Sequence, residues 1–136
     1  MASLHLEDDH HCFACGLENK TGLRIHWTVE GKKTTALFTP KKEFQGWKGI
    51  VHGGIIATLL DEAMTRLAWI VCGGALTAEM TVRYLAPAKI GEKLYILGEI
   101  VNENRKIVEL RAFVYKDRFD GPIIAHSTGK AIKVKI

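Results

Sequence analysis

His52-Gly53-Gly54 stands at the start of a long apolar stretch, and Asp61 lies inside that stretch, nine residues after the histidine. A carboxylate can take a proton from water or attack a carbonyl carbon directly. Backbone N–H groups at a helix start lack partners within the helix and carry the positive end of its dipole, so they can hold an oxyanion. Gly53 and Gly54 have no Cβ, which lets a ligand come close to that backbone. These residue types suit attack on a carbonyl, with Asp61 as general base or nucleophile; the residues alone do not choose between the two. Asp61 is conspicuous for another reason: a carboxylate among apolar side chains is costly unless it is paired or used.

The element that must position these groups is a helix. Ile56, Leu59, Leu60, Ala63, Leu67 and Ile70 recur at helical spacing, and Ala57, Met64 and Ala68 make the opposite face apolar as well. A helix apolar nearly all round is expected to be buried. Gly73-Gly74 is its stop signal. Gly53 and Asp61 are eight residues apart on it, roughly 12 Å at a helical rise. One carbonyl cannot touch both. If both act, two copies of the helix must run antiparallel across a two-fold axis.

Strands flank the helix. Leu23 to Val29 alternates apolar and polar residues, Glu30 to Lys33 turns, and Thr34 to Phe38 returns as a hairpin. After the helix, strands are expected over 76–85, 93–101, 106–116 and 123–134, with Asn102 to Arg105 at a hairpin tip. In the first of these, Leu76, Ala78, Met80, Val82 and Tyr84 share one face. The class is therefore α+β, an antiparallel sheet of about six strands around one long helix. One helix cannot cover both sheet faces, so an oligomer is expected.

The chain has 136 residues, which suits a single domain over 1–136, with 1–21 as an N-terminal extension carrying Cys12 and Cys15. Its net charge of +4 comes without a Lys/Arg run, so a nucleic-acid partner is not expected. The acidic opening lacks a signal-peptide core, and Asp61, Glu62 and Arg66 interrupt the apolar stretch. No membrane partner and a cytoplasmic location are expected. Three cysteines argue against a disulfide framework.

The segment Gly49-Ile50-Val51-His52-Gly53-Gly54 through Leu60-Asp61-Glu62-Ala63 resembles the signature of the hotdog-fold acyl-CoA thioesterases, in the PaaI-type and 4-hydroxybenzoyl-CoA-thioesterase-like branch. Thr77 to Glu92, with its strand followed by Pro87-Ala88, is similar to the family's pattern, as is Ile124 to Gly129. Cys12-Phe13-Ala14-Cys15-Gly16 with Thr21-Gly22-Leu23 is similar to the opening of some members. The resemblance implies hydrolysis of an acyl-CoA thioester to free acid and CoA, without metal or organic cofactor. It implies a homodimer, paired into a dimer of dimers. It gives Asp61 the catalytic carboxylate, Gly53 the N–H that polarises the carbonyl, and Thr77 a part in holding the water. Gln45 lies near the place of an amide found in some members, displaced by one position.

Plainer readings stand beside these. His52 is expected to position the helix start through its ring rather than act as a base. Glu62 points about 100° away from Asp61 and is expected to pair with Arg66 at i+4. Cys12 and Cys15 have metal-like spacing, but a second ligand pair is missing, so they are expected to be structural, with no metal. Gly54 is a further candidate contact to substrate, and Arg105 and Lys106 at the hairpin tip are candidates for CoA phosphates. Trp47, Trp69 and Phe44 are candidate acyl-pocket residues. The rival functions are a non-catalytic acyl-CoA-binding protein, a hotdog hydratase or dehydratase, and a metal- or redox-linked protein.

Overall fold

A computed structural model describes residues 6–134. β1 (Thr28–Glu30) and β2 (Lys33–Phe38) precede α1 (Gly53–Cys72), and β3 (Ala75–Tyr84), β4 (Leu94–Glu103), β5 (Ile107–Lys116) and β6 (Ile123–Lys133) follow it. The strands form one antiparallel sheet in the order β1-β2-β4-β5-β6-β3, and α1 lies across it. Leu59, Leu60, Ala63, Leu67, Leu94, Ile96, Val108 and Val114 are fully enclosed between the two layers. Each such aliphatic side chain contributes roughly 1.5–3 kcal/mol by leaving water. The sheet closes tightly on the helix at Gly98, where a Cβ would sit 2.7 Å from the Ala63 carbonyl oxygen.

The helix begins at His52, whose backbone is extended (φ −59°, ψ 134°), and ends at Gly73 in the left-handed region (φ 79°). Its burial is one-sided. Ile56, Leu59, Leu60, Ala63, Met64, Leu67 and Ala68 are buried, whereas Ile70 and Val71 are exposed and Ala57, Asp61 and Thr65 are half-buried. Within one chain the sheet covers a single face, so the expectation of a helix buried all round does not hold for the isolated subunit.

Two strands differ from their sequence patterns. The alternation at Leu23, Ile25 and Trp27 survives as burial, but only Thr28–Glu30 pairs in the sheet. Arg24 takes a left-handed backbone (φ 54°), which breaks the extended run there. In β3 the pairing with β6 shifts register between Thr77 and Glu79, leaving Ala78 as a bulge. Ala75 and Thr77 face the helix before the bulge, and Met80, Val82 and Tyr84 after it. Strict alternation would set Leu76 and Ala78 on one face with Met80, Val82 and Tyr84; the bulge puts Thr77 there instead.

Candidate active site

The helix start is held from three sides. Val51 N–H donates to Ala88 O at 2.8 Å, His52 N–H to Phe44 O at 2.9 Å, and Gly46 N–H to Ile50 O at 2.8 Å. The His52 ring then caps the helix, its Nδ1 accepting from Gly54 N–H at 2.8 Å. A nitrogen that accepts an N–H bears no proton, so neutral His52 carries its proton on Nε2. This agrees with a positioning role and commits the Gly54 N–H to the histidine. Gly53 N–H, by contrast, donates to no acceptor among the described residues. On its other side, Tyr84 Oη donates to Gly53 O at 2.8 Å, fixing the plane of the peptide that follows Gly53.

Two turns along, Asp61 Oδ1 accepts hydrogen bonds from Thr65 Oγ1 at 3.0 Å and from Thr77 Oγ1 at 2.7 Å. The two hydroxyls also touch each other. Thr65 comes from the next turn of α1, and Thr77 is aimed from β3 by the bulge at Ala78. Bulges commonly re-aim side chains beside functional sites. Asp61 Oδ2 has no hydrogen-bond partner among the described residues. One oxygen is therefore fixed and the other is left for a ligand or water.

Gly53, Ala57, Asp61 and Thr65 follow one another at i+4 on the uncovered side of α1, beside the outer edge of β3. The structure thus brings Asp61 and Thr77 together and keeps Gly53 apart from them in the same chain. An open pocket of about 410 Å³ adjoins Gly53, lined by Gly46, Trp47, Ile50, Val51 and His52.

The remaining candidates fall elsewhere. Gln45 Oε1 accepts from Gly49 N–H at 3.1 Å, closing the loop ahead of the helix. Arg105 and Lys106 sit on the β4–β5 tip, beside Glu103, which meets Cys72 at the far end of α1. Nineteen residues of helix, roughly 28 Å, separate Cys72 from Gly53. Trp47 is exposed beside His52, Phe44 lines a neighbouring hollow with Gln45, and Trp69 lies in another pocket with Cys12 and Cys15.

Glu62 does not pair with Arg66 as its spacing suggests; no ion pair between them is present among the described residues. Both converge instead on Cys15. The Glu62 carboxylate lies within 4.8 Å of the Cys15 sulfur, and Arg66 Nη1 lies 3.6 Å from Cys15 Sγ. Burial pushes Glu62 above the usual carboxylate range, while the Cys15 thiol and the Arg66 charge pull it back. Sequence reasoning also passed over Thr65 and Tyr84. Thr65 was accessible to it, since i+4 from Asp61 is one helical turn; nothing in the sequence ties Tyr84 to Gly53.

One antiparallel sheet laid around one long helix is the hotdog arrangement. The thioesterase superfamily profile matches residues 48–118, and the chain belongs to that family. Among curated relatives, the acyl-coenzyme A thioesterase THEM4 of Xenopus laevis is 35% identical over 77 residues, covering 56% of this chain and 35% of its own. Acyl-coenzyme A thioesterase 13 of Mus musculus is 34% identical over 61 residues, covering 43% of this chain and 44% of its own. The matches thus span less than half the length of these relatives. Among solved structures, the PaaI protein of E. coli superposes with a TM-score of 0.75 at 16% identity, over 82% of this chain and 84% of its own. The smu.793 protein of Streptococcus mutans, bound to acetyl CoA, superposes with a TM-score of 0.73 at 21% identity, over 82% and 89%. These superpositions establish the hotdog fold.

Proposed function

We propose that the protein is an acyl-CoA thioesterase that hydrolyses an acyl-CoA thioester to the free acid and CoA. The observation that carries this reading is the Asp61 carboxylate, with Oδ1 fixed by two threonine hydroxyls and Oδ2 open. The names of the curated relatives support the substrate class.

Asp61 acts as general base or nucleophile, and both routes balance. As base, Oδ2 takes a proton from water and the hydroxide bonds to the carbonyl carbon. The oxyanion is held by a backbone N–H, the C–S bond breaks, and the proton passes to the departing CoA thiolate. As nucleophile, Oδ2 bonds to the carbonyl carbon and CoA leaves as thiolate. Water then splits the mixed anhydride, restoring Asp61. Neither route needs a metal or an organic cofactor. Thr65 and Thr77 orient the carboxylate in both.

The oxyanion donor is the Gly53 N–H of the partner subunit. Two features support a two-fold dimer. The helix face bearing Gly53 and Asp61 is uncovered, and β3, ten residues long, is an edge strand with unpaired backbone groups. Such edges are templates for pairing with another chain. Antiparallel β3 pairing sets the two helices side by side and gives two composite sites. A dimer of dimers is the fuller assembly, and contacts of Arg105 and Lys106 with CoA phosphates belong to a site shared between copies. Three unpaired cysteines fit a reducing, cytoplasmic setting, and no helix among the described residues is long and apolar enough to cross a membrane.

The test is release of free thiol from a panel of aryl- and fatty-acyl-CoAs, with binding measured in parallel. Turnover with at least one class is expected. Saturable binding of acyl-CoAs without thiol release would make the protein a binder and end the hydrolytic reading.

A further inference from the structure

The Cys12 and Cys15 thiols and the Glu62 carboxylate bring their donor atoms within 4.8 Å of one another. We propose that these three side chains bind a zinc ion that clamps the N-terminal loop onto α1, one residue from Asp61. The sequence shows only the C-x-x-C half of this set. The third ligand comes from the helix, far along the chain, and is added only by the fold.

The loop is built before any ion arrives. Gly16 N–H donates to Cys12 O at 2.8 Å, Leu23 N–H to Phe13 O at 2.8 Å, and Ile25 N–H to Ala14 O at 2.9 Å. A Cβ at Gly16 would lie 2.4 Å from the Cys12 nitrogen, so the loop can turn this tightly only with glycine there. The turn presents both thiols to α1, where Glu62 waits. Zn–S bonds of about 2.3 Å in a tetrahedron set two sulfurs about 3.8 Å apart. The three donor atoms already lie within 4.8 Å of one another.

Charge also favours a divalent cation. Two thiolates and a carboxylate carry three negative charges. Zinc and the Arg66 guanidinium, already against Cys15, supply three positive ones. Arg66 Nε is buried without a hydrogen-bond partner, so the cluster has polar capacity to spare. With no cation, burial and the nearby Glu62 push the Cys15 thiol strongly up, so Cys15 keeps its proton until a metal takes its place. Zinc displaces the two thiol protons to solvent and takes both sulfurs and the carboxylate oxygen as ligands. Thiolate donors select zinc over magnesium or calcium. The fourth position opens on a pocket of about 290 Å³, lined also by Asp8, Thr65 and Trp69, where water can complete the tetrahedron.

The experiment uses the untagged 136-residue chain loaded with zinc, dialysed, and analysed for bound metal by mass spectrometry. Affinity is read by competition with a chromophoric chelator, and ligand type by cobalt substitution. One zinc per chain is expected, with thiolate-to-cobalt charge-transfer bands and a tetrahedral ligand-field spectrum. Cys12→Ser and Cys15→Ser should lose the metal. Glu62→Gln should bind at least about tenfold more weakly, a loss already typical of groups that merely orient a ligand. A His10→Ala/His11→Ala protein should keep it, separating the site from adventitious binding by the neighbouring histidines. Should the serine variants fail to fold, the wild-type cobalt spectrum and the Glu62→Gln affinity still decide. Wild-type protein that retains no zinc, cobalt bound without thiolate bands, or Glu62→Gln protein that binds as tightly as wild type would each overturn the site.

Discussion

The Thr77 hydroxyl reaches from an edge strand to the middle of the helix and donates a 2.7 Å hydrogen bond to Asp61 Oδ1. Thr65 donates to the same oxygen from one helical turn away, at 3.0 Å. Two donors on one oxygen act as a unit. Hydrogen bonds to a charged acceptor are worth about 1.5–3 kcal/mol, so Thr77→Val should lower kcat roughly 10–100-fold with little change in KM. Thr77→Ser should restore most of it. In a double-mutant cycle with Thr65→Val the losses should not add, because the hydroxyls share an acceptor and touch each other. Strict additivity in kcat would show that they do not hold one carboxylate jointly.

Asp61→Asn keeps the size of the side chain and removes the charge. Hydrolysis should fall by at least about 10²-fold, the usual scale for losing a base or nucleophile. The thermal midpoint and acyl-CoA binding should change little. A variant with more than about a tenth of wild-type kcat would assign the chemistry to another group. Single-turnover reaction in heavy-oxygen water separates the two routes: label first entering Asp61 rather than the released acid marks the nucleophilic one.

The helix was legible in the sequence because its apolar residues keep a helical period over five turns and its ends carry recognisable signals at His52 and Gly73. Asp61 was legible as the carboxylate that this pattern does not explain. The bulge at Ala78 was not legible. Alternation in β3 looks regular through Tyr84, and only the register against β6 reveals the extra residue that turns Thr77 inward. The fate of Glu62 was hidden for a related reason. Helical spacing offers Arg66, but the Cys12–Cys15 loop folds over that turn of the helix and draws both side chains to Cys15. Local pattern settles what a residue offers its own element, and contacts between elements settle which offer is taken.

The contact between sheet and helix at Gly98 is a steric limit. A Cβ there would lie 2.7 Å from the Ala63 carbonyl oxygen and 3.0 Å from Thr34 Cγ2. The first neighbour is helix backbone and cannot rotate away. Gly98→Ala should destabilise the fold by about 1–3 kcal/mol through overpacking. A lower denaturation midpoint at unchanged slope would show this. An unchanged midpoint would mean that helix and sheet can move apart freely.

Glu62 gives a pH signature in chelator-treated protein. Burial is the largest influence on it and raises its folded pKa above the ordinary 4.5. The folded state therefore holds this proton more tightly than the unfolded chain. That contribution to stability is fully present below about pH 4.5 and is lost as pH rises through the folded value. Glu62→Gln cannot ionise, so the stability difference, variant minus wild type, should grow in the variant's favour from about pH 4 to pH 7. Chemical denaturation of both proteins across that range reads it, and a difference that stays flat or shrinks contradicts a raised Glu62.

The proposed sharing of the site between subunits makes the most demanding prediction. Gly53 is the first residue of the helix, a position that tolerates proline, and His52 before it already has the extended backbone proline requires. A Cβ at Gly53 would meet the Tyr84 ring no closer than 3.6 Å, so there is room for the substitution. Gly53→Pro removes the N–H assigned to the oxyanion, and loss of one such donor costs roughly 10²–10³ in rate. Asp61→Asn removes the other half. Each variant alone should be nearly inactive, since both sites of its homodimer carry the same defect. Unfolded together in equal amounts and refolded, the two should give about half mixed dimers, each with one doubly defective site and one intact site. Activity should return to about a quarter of wild type by this counting across a two-fold interface. Heterodimers that form, as judged by native mass spectrometry, yet recover no activity would show that Gly53 and Asp61 do not act on one carbonyl from opposite subunits.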